Sequence, residues 1–263
     1  MIPSYLNRKG IHWTVYLGET VGLPNVCDMD CPTCVDDYGA LNINLSVQDL
    51  RNKRASNWKF PEDWEFKEEW KFAVKRFFSK RNETIRSFVF TGRGDPLFYI
   101  PVIKAYMEVY KDLGIKGHGV INTSGSLLTR SMISSLKDFG INEIIINPLA
   151  SNFNSYDKMS LVKEDMEVSV EAPLLYHCRD NLFSMLPIIE DIGVKHLILP
   201  FAEIYSINGI NKMHNYTGEH PEIIKQNGLS FVDDKGVGEE IRKEVFKKGY
   251  SYSVHITKAD TLI

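Results

Sequence analysis

The sequence predicts an α/β fold: a partial barrel of six parallel strands alternating with helices, followed by a short C-terminal extension. Three observations predict it. From residue 85 onward an apolar run rich in Val, Ile or Phe, a polar turn and an amphipathic stretch recur in the same order. Gly114, Gly140 and Gly193 each stand after an amphipathic stretch and before Ile or Val, where a left-handed helix end favours glycine. The apolar runs are continuous, as strands buried on both faces should be.

Taken in order, residues 12–17 alternate as a first strand, and residues 65–78 place Phe66, Trp70, Val74, Phe77 and Phe78 along one helical stripe that reads as core packing. The later strands are residues 85–91, 118–122, 143–147, 167–173 and 196–200. The helices between them are residues 99–113, 129–139, a weaker stretch at 151–159, and 181–192. Right-handed crossovers then bring all the strand C-termini to one rim, where function is expected. The pattern loosens through residues 208–228, after which residues 239–248 make a charged helix and residues 250–257 a strand. This divides the chain into a barrel over residues 1–205 and a cap or closing extension of the same domain over residues 206–263.

Bulk properties fit a globular chain with a sizeable core, since hydrophobic residues make up 43 % of the 263 and charged residues 25 %. No apolar run reaches the roughly 20 residues of a membrane helix, and Met1-Ile2-Pro3-Ser4 does not begin a secretory signal, so a cytoplasmic location is expected. A net charge of −3 spread along the chain gives no field for nucleic acid. The basic run from Lys71 to Arg81 is interleaved with aromatics at helical spacing and reads as a solvated helix face.

The four cysteines are not a disulfide framework, because three lie within eight residues and Cys178 stands alone. Cys27-Asp-Met-Asp-Cys31-Pro-Thr-Cys34 has the spacing C-x3-C-x2-C in a loop beyond the first strand. A [4Fe–4S] cluster takes one thiolate per iron, so three ligands leave the fourth iron open to a non-protein ligand. Zinc is the competitor, with Cys178 as a distant fourth ligand, but structural zinc sites are usually built from two short ligand pairs.

This loop, in this place, resembles the cluster motif of the radical S-adenosylmethionine (SAM) superfamily, and the resemblance covers residues 11–205. It implies a partial (βα)6 TIM-like barrel of the radical SAM type, with a [4Fe–4S] cluster on Cys27, Cys31 and Cys34 and SAM chelating the open iron through its amino and carboxylate groups. Thr33 stands where many members have an aromatic residue. Thr91-Gly92-Arg93-Gly94-Asp95-Pro96 is similar to the family's Gly-Gly-Glu-Pro segment, which implies that Gly92, Gly94 and Asp95 receive the SAM ammonium group, with Asp95 in place of Glu. Asn122-Thr123-Ser124-Gly125 resembles the strand end that meets the SAM carboxylate or ribose. Asn122 and Ser124 are therefore cofactor candidates, and Ser124 reads equally as a helix cap. Glu171, among apolar residues, is either a rim residue facing the ribose or an outward surface carboxylate. Residues 196–200 resemble the strand whose backbone meets adenine.

No catalytic residue is identified, with Cys178 the one candidate: a rim thiol able to donate hydrogen or bind substrate, or a small buried hydrophobe. The implied activity is reductive cleavage of SAM to a 5′-deoxyadenosyl radical that abstracts hydrogen from a small-molecule or peptide substrate. The electron donor would be a flavodoxin or ferredoxin. No further cysteine cluster is present to hold auxiliary iron–sulfur centres. The alternatives are a glycyl-radical enzyme activating enzyme, a deazaguanine-synthase-like enzyme and a non-catalytic zinc-binding module.

Overall fold

A computed structural model describes residues 11–17, 26, 27, 29, 31, 72, 75, 76, 78, 79, 85–92, 94–202, 207–226 and 229–257. Among them seven strands form one sheet in the order β1 (Ile11–Leu17), β2 (Ile85–Gly92), β3 (His118–Thr123), β4 (Ile141–Ile146), β5 (Glu167–Glu171), β6 (His196–Pro200) and β9 (Ser253–Thr257). Every neighbouring pair is parallel. The crossovers carry α1 (Ile100–Asp112), α2 (Arg130–Phe139), α3 (Tyr156–Lys163), α4 (Arg179–Ile192), α5 (Ile207–Thr217) and α6 (Val237–Lys248). Strand order follows chain order, and among the described residues no pairing joins β9 to β1, so the sheet is an open half-barrel. No described helix is long and apolar enough to cross a membrane.

The strand expected at residues 250–257 is β9, which joins the parallel sheet beside β6, so the six barrel strands become seven. Two further differences concern residues 208–228 and 151–159. The first holds α5 and β7 (Ile223–Gln226), which forms an antiparallel ribbon with β8 (Leu229–Val232) just after it. Helix propensity there is diluted by Asn208, Gly209, Asn211 and Asn215, and Met213 is buried in the core all the same. The weak helix at 151–159 begins later, at Tyr156, because Asn152 and Phe153 take left-handed backbone angles that end a short 3-10 turn over Pro148–Ser151.

Gly140 (φ 100°) and Gly193 (φ 78°) close α2 and α4 in the left-handed conformation, and Thr129 caps α2 by accepting from the Met132 amide. Of the expected stripe over residues 65–78, Phe78 is described and packs edge-on against Trp13 and Tyr110; Phe66, Trp70, Val74 and Phe77 lie outside the described residues.

The strands have two faces of different character. Outward residues such as Phe88, Phe90, Ile121, Ile144, Val168 and Leu197 join the core beneath the helices. The inward face carries a thin apolar belt of Val89, Val120, Ile145 and Ile198. Polar residues lie on either side of that belt along the strands, His118, Glu143 and Glu167 toward the N-terminal ends and Asn122 and Glu171 at the C-terminal rim.

Candidate functional site

The segment carrying the first cysteine is fastened to the end of β2. Asp95 donates its amide to the Val26 carbonyl (2.8 Å), and the Val26 amide donates to the hydroxyl of the buried Tyr99 (2.8 Å). The two chains approach so closely that a Cβ on Gly94 would lie 2.1 Å from the Val26 carbonyl oxygen, and one on Gly92 would lie 3.0 Å from that of Leu17. Glycine at 94 is therefore set by backbone contact with the cysteine segment, at 92 by contact with the end of β1. Cys27 and Cys31 are half-buried, and the Met29 amide points at the Cys27 sulfur from 3.4 Å, a contact that favours a thiolate. Cys34 lies outside the described residues.

Asp95, expected to meet the SAM ammonium group, is 3 % exposed, and its carboxylate is engaged within the protein. Its Oδ1 accepts from the Leu97 amide (2.9 Å) and its Oδ2 from the Ser124 amide (2.9 Å) and hydroxyl (2.6 Å). The Thr123 hydroxyl lies 2.8 and 2.7 Å from its two oxygens. Burial pushes this carboxyl above the usual range, opposed by the hydrogen bonds from Ser124, Leu97 and Thr123. The same side chain caps the 3-10 turn Pro96–Tyr99 and ties the end of β2 to the end of β3. Ser124 is accordingly a partner of Asp95, and the cap of α2 falls to Thr129. The Ser124 hydroxyl also accepts from the Ser126 amide at 3.3 Å, a local turn that holds the loop after β3.

Asn122 and Glu171 meet across β4: the Asn122 amide donates to Glu171 Oε1 at 3.1 Å. Glu171 thus faces the half-barrel interior at the rim, and burial raises its carboxyl above the usual range, with the Asn122 bond opposing. Cys178 sits elsewhere. At 2 % exposure it belongs to the main hydrophobic core, and burial pushes its thiol up to about 11, against a hydrogen bond with Tyr216. Among the described residues it forms no ligand group with Cys27 and Cys31.

Sequence reasoning passed over Tyr99 and Thr123, which hold the cysteine segment and the Asp95 carboxylate. Each is an ordinary residue in a sequence, and only the fold brings the Tyr99 hydroxyl to a backbone 73 residues away and the Thr123 hydroxyl to a carboxylate 28 residues away.

No protein-family model matches the chain, and no curated protein does. Solved structures do. The enzyme anSMEcpe with bound AdoMet and a peptide superposes with a TM-score of 0.55 at 14 % identity, over 92 % of this chain and 62 % of that one. SuiB of Streptococcus suis bound to S-adenosylmethionine gives 0.56 at 10 % identity, over 95 % and 50 %. A cysteine-to-serine variant of spore photoproduct lyase gives 0.56 at 10 % identity, over 89 % and 75 %. The chain spans about half to two-thirds of the length of anSMEcpe and SuiB. All three are radical SAM enzymes, and the fold of this chain is the half-barrel fold of radical SAM enzymes.

Proposed function

We propose that the chain is a radical SAM enzyme in which Cys27, Cys31 and Cys34 hold a [4Fe–4S] cluster beside bound SAM at the rim. The observation that carries this reading is the fastening of Val26, the residue before Cys27, to the Gly94–Asp95 turn at the C-terminal end of β2, which supports a cysteine site at the rim of a half-barrel. The donor set fits the group: Cys27 and Cys31 are half-buried thiols, and an amide donor points at the Cys27 sulfur. When bound, the cluster supplies the electron that splits SAM into methionine and a 5′-deoxyadenosyl radical. The protein's own part is positioning. Asp95 holds the turn after β2, and Gly92, Gly94, Asn122 and Glu171 are the residues assigned to SAM. A flavodoxin or ferredoxin is the reading for the electron donor.

For the substrate, a peptide or small molecule remains the reading. The peptide side is favoured by relatives in fold, since anSMEcpe and SuiB were each solved with a peptide bound.

Anaerobic reconstitution tests the proposal. About four irons and four sulfides per chain are expected, falling sharply in Cys27→Ala, Cys31→Ala and Cys34→Ala. With dithionite the loaded protein should convert SAM to methionine and 5′-deoxyadenosine, and not without it. Deuterated candidate substrates should pass deuterium into 5′-deoxyadenosine. A loaded, SAM-binding protein that never forms 5′-deoxyadenosine under any reductant or substrate would end the radical reading.

A further inference from the structure

The inward face bears a second group of ligand-type side chains, at the opposite ends of the strands from the cysteine loop. His118 opens β3, Glu143 is the third residue of β4 and Glu167 opens β5. Glu143 and Glu167 are in direct register on neighbouring parallel strands, so two carboxylates stand side by side in a confined space. Like charges so placed repel, and a cation between them removes the penalty.

The arrangement of the individual oxygens is specific. Ser169 donates to Glu143 Oε1 (2.5 Å) and Lys195 pairs with Glu167 Oε1 (2.5 Å). Each glutamate therefore has one oxygen held from behind and presents the other, Oε2, to the same imidazole nitrogen. His118 Nε2 lies 2.9 Å from Glu143 Oε2 and 3.8 Å from Glu167 Oε2. Glu167 Oε2 is buried and has no hydrogen-bond partner. One ligand atom from each of the three residues falls within 4.8 Å of the others. Ligands about 2.0–2.1 Å from a tetrahedral ion stand roughly 3.3–3.4 Å apart, a spacing the two measured distances bracket. Outer donors that orient each carboxylate are what metal sites use to fix their ligands.

We infer that His118, Glu143 and Glu167 form a binding site for a divalent transition-metal ion of the zinc class, completed by water and separate from the cysteine loop. One imidazole and two carboxylates form a nitrogen–oxygen ligand set that excludes soft, thiolate-seeking ions. The ion replaces the His118–Glu143 hydrogen bond and staples β3, β4 and β5 together at their N-terminal ends. This inference does not depend on the radical SAM reading.

Cobalt(II) is the probe, in the full chain with Cys27, Cys31 and Cys34 changed to alanine so that loop thiolates do not compete. One cobalt per chain is expected, with the weak visible bands of nitrogen and oxygen ligands and no near-ultraviolet thiolate band, and zinc should displace it. Glu167 has a partly exposed side chain, so Glu167→Gln should fold and bind at least 10-fold more weakly. Ser169→Ala, which removes only the outer donor, should weaken binding about 10- to 100-fold. Zinc content of the wild-type protein, its cluster loaded to occupy the thiolates, gives a second measurement: one zinc per chain, lost in Glu167→Gln. Absence of stoichiometric binding in both experiments overturns the site and leaves an ion-pair network in its place. Binding that Glu167→Gln does not change, or that shows a thiolate band, overturns it too.

Discussion

Two backbone amides and two hydroxyls converge on the carboxylate of Asp95, and that convergence decides what its variants do. In Asp95→Asn one oxygen becomes an amide group that meets donors head-on. The expected cost is about 2–3 kcal/mol, because buried donors are left without an acceptor. That is a fall of roughly 5–10 °C in melting temperature for a chain of this size. A variant that melts like the wild type would show that the carboxylate does not clamp β2 to β3. Cys178 makes the opposite case. Its thiol is neutral at physiological pH and sits in the apolar core, so Cys178→Ala should keep the full iron and sulfide content while losing a little stability. Iron loss in that variant would return Cys178 to the ligand set. The residue types at the rim were legible in the sequence because the Gly92-to-Pro96 and Asn122-to-Gly125 segments resemble family motifs and lie beside a cysteine loop. Their partners were not, since whether Asp95 reaches a ligand or Ser124 depends on side-chain direction after two strands have paired.

Elements meet most tightly where the cysteine segment crosses the end of β2. Gly94→Ala places a methyl group 2.1 Å from the Val26 carbonyl oxygen, and a backbone atom has no rotamer by which to retreat. The expected result is a folded protein about 1–3 kcal/mol less stable, with iron uptake well below that of the wild type. Gly92→Ala, where the nearest atom is 3.0 Å away, should lose less on both counts. Equal iron content in the two variants would contradict the packing account. At this scale the strands from β2 to β6 were legible because continuous Val/Ile runs and glycine stops are local signals. The ribbon of β7 and β8 carried a signal too, the dipeptide Asn227-Gly228 between its strands, which favours a tight hairpin turn. Asparagine-rich α5 gave little local sign, its helix being fixed by burial of Met213.

Across the whole molecule, the interior polar residues tie stability to pH. Burial, with the neighbouring His196 charge, lowers His255 to about 4. His196 is lowered as well, by burial and by Lys195 and His118, against the pull of Glu143 and Glu167. The folded state thus binds fewer protons than the unfolded chain between about 6.5, the ordinary histidine value, and about 4. Stability is full above that window and falls as pH drops through it, by about 2 kcal/mol for His255 once partial exposure is allowed for. Urea titrations at pH 7 and 4.5 should show this drop, and His255→Asn should shrink it; an unchanged pH dependence in the variant would assign the effect elsewhere. The open sheet also orders the folding pathway. Residues 18–84 separate β1 from β2, more than twice the spacing of any later neighbouring pair up to β6, and β1 is bonded on one side alone among the described residues. A long closure and a single flank make β1 the last strand to add and the first to leave. Amides of Thr14–Leu17 should therefore exchange with solvent roughly 10-fold or more faster than those of Val120–Thr123. Because Cys27 and Cys31 follow β1, the cluster proposed there would load late in the life of a newly made chain, waiting on the docking of an edge rather than on the core.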